Sequence, residues 1–243
     1  MDILKVIAAL LLPLLLSAPP ASSAAELVVL VDTATEMPMA RFERHQLVAG
    51  IHFDIGLALA RKMGRTPRFI SLPRKRIVAA LEAGTADILC SYVPEWLNGS
   101  FQWSQPFIPI VELLLTDHSV PRPGKLEEVA GRTIGTVLGY AYPEVEEVLG
   151  KDFVRDDGST AEANLRKLAV GRVKYAVTIQ TTLDYRRKLG TPELHLHPPM
   201  VLKTYQGQCA VSRKGKVGVL EVNHAIAAMQ TDGSVAAIVA KYQ

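Results

Sequence analysis

Cysteine is nearly missing from these 243 residues: Cys90 and Cys209 are the only two. Two are far too few for a disulfide scaffold, so the chain has to be held together by a hydrophobic core. From the residues alone, the pair reads either as one disulfide in an oxidising compartment or as two buried thiols on core strands. An excess of charge of one sign is missing too. The net charge is +3, with no long Lys/Arg run and no stripe of basic and aromatic residues, so nucleic-acid binding has no support. Beyond the first 25 residues no apolar run approaches the ~20 residues that a membrane-spanning helix needs. There is no Gly-x-Ser-x-Gly elbow, no Walker loop and no His-Glu-x-x-His pair, so nucleophilic and zinc-peptidase chemistry lack their usual signatures. His195 and His197 alternate as on one strand face but have no acidic or Cys partner at ligand spacing. Neither a metal nor a cofactor is expected.

What is present is an ordinary globular composition, 49% hydrophobic and 21% charged, compatible with one or two domains. The first 25 residues read as a secretory signal peptide. Lys5 is its positive start, Val6 to Leu16 its apolar run, and Ser22-Ser23-Ala24-Ala25 its small cleavage residues. This predicts a soluble protein of an export compartment, most simply a bacterial periplasm.

The most informative stretch runs from Arg76 to Phe107. Ile77, Ala80, Leu81 and Gly84 fall on one helical face, Gly84 ends the helix, and Asp87 leads into the apolar strand Ile88-Leu89-Cys90. Tyr92, Pro94 and Trp96 then lie in a loop at the strand's carboxyl edge, where open α/β sheets bind ligands. Upstream, Glu26–Val31 reads as a buried strand, the segment after Gly50 as a helix closed by Gly64, and Pro67–Leu72 as a second strand. Strand, helix, strand, helix, strand implies a parallel sheet with right-handed crossovers.

Pro109–Thr116 is a further strand, and the proline-containing segment 118–124 is a candidate boundary. A second series follows: strand Thr133–Val137, an acidic helix through Leu149, and a short strand at Phe153-Val154. A helix from Ala163 comes next, entered through a capping box at Ser159-Thr160-Ala161-Glu162, then strand Val173–Ile179. Gln208–Ser212 reads as a strand returning to the first domain, with two helices after it.

The ordered set of GIHFDIGLALARKMG, RIVAALEAGTADIL, WSQPF and GRTIGTVLGY resembles the periplasmic solute-binding proteins of ABC transporters, in the branch of polar-amino-acid receptors. The likeness implies an α/β fold of the type II periplasmic-binding-protein kind. Each lobe would be a mostly parallel sheet flanked by helices, with two hinge crossings between lobes. It places lobe one at 26–116 plus 206–243 and lobe two at 117–205. It puts Cys90 and Cys209 on neighbouring strands, which favours their pairing. It implies a monomer that binds a small polar solute in its cleft, without turnover, and delivers it to an ABC permease.

Two departures bear on the solute. The receptors' carboxylate-binding Arg has no counterpart in Val93–Asn98, and the Asp that meets the ligand's ammonium group is replaced by Gln180-Thr181. Ligand contacts are expected from Tyr92 and Trp96, from Glu36 in the loop after the first strand, and from Gly139 and Tyr140 at a helix entry. Gln180 would meet a neutral polar group. Arg74 and Arg76 both open a helix where the dipole disfavours cations, and Arg76 matches an arginine that the family often carries. The other readings are a lyase or dehydratase on the same fold, with Glu36 or Glu95 as acid or base, and a sensor module that binds a protein partner.

Overall fold

The computed structural model describes residues 24–190 and 194–243; most of the expected signal peptide lies outside them. Strand β1 (Glu26–Asp32) is followed by a hairpin of β2 (Arg41–Glu43) and β3 (Gln46–Ala49), helix α1 (Ile51–Lys62), β4 (Thr66–Leu72), α2 (Arg74–Ala83) and β5 (Ile88–Tyr92). Then come β6 (Phe101–Trp103), β7 (Ile108–Thr116), β8 (Thr133–Val137), α3 (Pro143–Leu149), β9 (Val154–Gly158), α4 (Ala161–Ala169), β10 (Tyr175–Ile179) and α5 (Gln180–Leu189). The long β11 (Met200–Ser212), α6 (Val219–Thr231) and α7 (Ser234–Ala240) complete the chain.

The two βα series build the same object. In the first, β1 lies between β4 and β5 and pairs with both in parallel. In the second, β8 lies between β9 and β10, again in parallel. The remaining contacts of this mixed sheet are antiparallel: β11 with β5, β6 and β7, and β7 with β10. This is the two-lobe α/β arrangement, with β7 and β11 running side by side from one lobe to the other.

The cores divide accordingly. Leu27, Ile55, Leu59, Ile88 and Ile226 belong to one buried set, and Val28, Leu30, Ile77, Leu81 and Leu89 pack on the other face of the same strands. Leu113, Leu114 and Leu115 instead pack with Ile134, Leu165, Ala176 and Val177. We therefore draw the crossing near Ile110, which packs with Val93 and Tyr205, several residues before the expected boundary at 116.

Local chemistry accounts for the element ends. Helix α2 buries Ile77, Ala80 and Leu81 at three-to-four spacing and stops at Gly84 with φ +76. A Cβ at Gly84 would lie 2.5 Å from the Lys214 carbonyl oxygen, so the turn needs glycine twice over. Asp87 is buried and accepts the backbone N–H of Val28 at 2.7 Å and of Lys216 at 2.5 Å, tying three chain segments together. The cap of α4 is Thr160, whose Oγ1 accepts the Ala163 N–H at 3.1 Å, one residue later than the expected box. Glu162 is thereby freed to pair with Arg186. Gln208–Ser212, expected as a short returning strand, is the end of one thirteen-residue strand. Gly207 is where β7 passes so close that a Cβ would lie 2.8 Å from Ile108 Cγ2.

Candidate functional site

A cavity of about 110 Å³ opens where the carboxyl ends of β1 and β5 face the carboxyl ends of β8 and β10, across the β7 crossing. Its walls are mostly apolar and aromatic, with Met37, Met39, Tyr92, Trp96, Val137, Tyr140 and Tyr142 among them. A small set of polar side chains is aimed into this surface.

Arg74 is the central one. It is the first residue of α2, so its side chain points back off the helix N-terminus toward the cleft. Nη2 donates to the Trp96 carbonyl oxygen at 2.6 Å, and Nη1 stands 4.0 Å from Asp32 Oδ2. The guanidinium lies over Tyr92 at 5.0 Å and over Tyr140 at 4.9 Å, so it touches both lobes. Asp32, at the end of β1, is 1% exposed; burial pushes its carboxyl up, opposed by the Ala34 N–H, Arg74, Tyr92 and Tyr140.

Five cavity-lining side chains carry a fully buried polar atom with no hydrogen-bond partner among the described residues: Arg74 Nη1, Ser91 Oγ, Trp96 Nε1, Glu112 Oε2 and Thr178 Oγ1. Leaving such atoms unpaired costs about 1–3 kcal/mol each, and pockets are where proteins tolerate it. Ser91 is further marked by its backbone. It has φ +61 inside β5, opposite a register shift at Gln208/Cys209, a strained conformation of the kind that collects at ligand sites. Glu112 lies mid-way along β7 and is 3% exposed. Burial raises its pKa to about 7, Glu144 and Glu146 push the same way, and Lys203 partly opposes them. His52, in the first turn of α1, also lines the cavity, and burial lowers its pKa to about 4, so it is neutral.

Glu36, Tyr92, Trp96 and Tyr140 all line the cavity, Glu36 from its exposed rim. Three other expected contacts lie elsewhere. Arg76 is exposed, because two residues along a helix is a rotation of roughly 200° and carries it away from Arg74. Gly139 is exposed and abuts the Arg74 side chain rather than the cavity. The helix entry beside it is already filled, since Glu146 Oε1 accepts the Tyr142 N–H at 3.1 Å. Gln180 turns along α5 and donates to Asp184 Oδ1 at 2.6 Å, while Thr178 and Thr182 face the cavity. Glu95 lies in a separate shallow groove beside Tyr205. His197 packs against His118 at 4.5 Å, away from the cavity.

The residues missed in the sequence had a legible sign. Glu112 is the one acid in IPIVELLLT, and a carboxyl inside an apolar strand is a candidate for function. Asp32 closes an apolar strand in the same way.

The profile of bacterial extracellular solute-binding proteins, family 3, matches residues 27–243. The chain belongs to that family. A search of curated protein sequences returns no match. Among solved structures, this family-3 chain is similar to an ancestral arginine-binding protein bound to arginine, with TM-score 0.73 and 20% identity, covering 90% of this chain and 98% of that one. It is similar to AncCDT-1, an ancestral amino acid-binding protein and precursor of cyclohexadienyl dehydratase, with TM-score 0.71 and 17% identity over 90% and 95% of the two chains. It is also similar to the GluR0 ligand-binding core from Nostoc punctiforme in complex with L-glutamate, with TM-score 0.71, 12% identity and 89% and 98% coverage. At these identities the likeness shows the fold, and family membership supports binding of a small solute.

Proposed function

We propose that this protein binds a small polar solute in the cleft between its lobes and hands it to a membrane permease from an export compartment, as a monomer. The observation that carries this reading is the convergence of five side chains with unpartnered, buried polar atoms on one mostly apolar cavity. The contact of Arg74 with Tyr92 on one side and Tyr140 on the other supports closure by hinge bending about β7 and β11. The solute meets Arg74, Ser91 and Thr178 through hydrogen bonds and Tyr92, Trp96 and Tyr140 through its flat or apolar parts.

The test is thermal unfolding of the mature chain against amino acids, polyamines, sugars, organic acids and aromatic acids. A solute at ~100 times its Kd adds about 2.7 kcal/mol, enough to raise the midpoint by a few degrees. A rise from one chemical class supports a receptor; no rise from any class counts against it.

Glu112 favours a second reading, a periplasmic enzyme of the lyase or dehydratase kind. A buried cleft carboxyl that titrates near neutrality is poised to exchange protons. Incubating the protein with each stabilising solute and analysing the mixture by mass spectrometry separates the two. Recovery of the solute unchanged supports binding, and appearance of a new species supports turnover.

A further inference from the structure

The charges in and beside the cavity can be matched one against another. Asp32 has Arg74 at 4.0 Å, and Glu162 is paired with Arg186. His52 is neutral. Two carboxyls have no salt bridge among the described residues: Glu36, which is exposed at the rim, and Glu112, which is buried and has no hydrogen bond to Oε2.

The elements packed around Glu112 deepen this imbalance. From α3, Glu144 and Glu146 add negative potential, and the Tyr142 hydroxyl is engaged as acceptor of the Val137 N–H at 2.7 Å. From β11 come Tyr205 and Lys203, and Lys203 stands 3.6 Å from Glu144 Oε2. Arg155, which lies over the Tyr142 ring, is held by Asp157 at 2.9 Å and Glu146 at 3.8 Å. Every neighbouring cation thus has a carboxylate of its own. Glu112 lines the cavity with a buried, unpartnered oxygen in a negative field, which is the environment that attracts a cationic hydrogen-bond donor.

We propose that Glu112 determines the specificity of the cleft by accepting a protonated amine or guanidinium of the solute, giving up its own proton to solvent as that cation arrives. This rests on the reading of the cleft as a solute site. The family resemblance directs attention to the loop after β5 and the end of β10 for charged contacts; Glu112 lies in neither, on the strand that joins the lobes.

Isothermal titration at pH 7, run in phosphate and again in Tris, tests the proposal with putrescine, agmatine and L-arginine as cations, acetate and succinate as acids, and glucose as a neutral solute. At least one cation is expected to bind, with buffer-dependent heat that reports release of up to one proton per site. In Glu112→Gln, cation affinity is expected to fall tenfold or more and proton release to vanish, with an unfolding midpoint no lower than that of wild type. Glu112→Asp, which keeps the charge, recovers part of the affinity and proves that a folded cleft can be read. Cation binding with no proton release and no change in Glu112→Gln would overturn the assignment. Binding of acids or glucose alone would overturn it too, while leaving the cleft reading in place. No binding of any of the six counts against both.

Discussion

Glu112 should make itself felt in stability as well as in recognition. In the folded protein its carboxyl holds a proton up to a pH of about 7, against an ordinary value of 4.5. Between those values the folded state therefore binds more protons than the unfolded chain, and stability falls as pH rises through that window. Denaturant unfolding of wild type and Glu112→Gln at pH 5 and pH 8 measures this. Wild type is expected to lose about 2–3 kcal/mol relative to the variant across that range; parallel pH profiles would contradict it. Asp87 makes the opposite case, a buried carboxylate that is fully employed. Asp87→Ala strands the backbone N–H groups of Val28 and Lys216, and a loss of about 2–4 kcal/mol is expected in the same measurement. In the sequence, Asp87 is legible as the residue that leads into a strand, because the Gly84 helix stop precedes it. Glu112 is legible only as an odd acid in an apolar strand, because pattern alone cannot say whether it faces water or a cleft.

At the scale of elements, the βα order could be read from helix periodicity, glycine stops and apolar runs, since these are local properties. What escaped was which residue of a helix's first turn faces the cleft, and the site depends on that. Helix α2 starts at Arg74, so Arg74 enters the cleft and Arg76 leaves it, although the two are equally basic and two residues apart. Arg74→Ala is expected to weaken solute binding at least tenfold, and Arg76→Ala to leave it within about twofold, by titration with whichever solute raises the midpoint. Equal effects would contradict the assignment. Strand pairing has a similar consequence. Cys90 and Cys209 are direct partners in the β5–β11 register and are joined as a disulfide. The two residues are 119 apart in sequence, so this bond closes a long loop, and replacing both with serine is expected to cost about 2–5 kcal/mol. Thiol labelling of the unreduced, unfolded protein should find neither cysteine; labelling of both would show that the bond is absent in solution.

Over the whole molecule, the two lobes repeat one plan, with the first strand of each series in the middle, and the cavity lies where their carboxyl edges meet. That placement follows from topology and could be anticipated. The composition of the cavity could not, because it draws one to three residues each from β5, β7, β8 and β10, from α1, α2, α4 and α5, and from the loops between them, positions that share no motif. The family match over residues 27–243 establishes the kind of molecule, while the solute depends on side chains that this chain arranges in its own way. The most direct test is a crystal structure with whichever solute stabilises the protein. The expected result is density for the solute in the cavity, with a polar group within hydrogen-bond distance of Glu112 and another at Arg74, Ser91 or Thr178. A solute bound elsewhere on the surface, or one in the cavity that leaves all four atoms unpartnered, would contradict it.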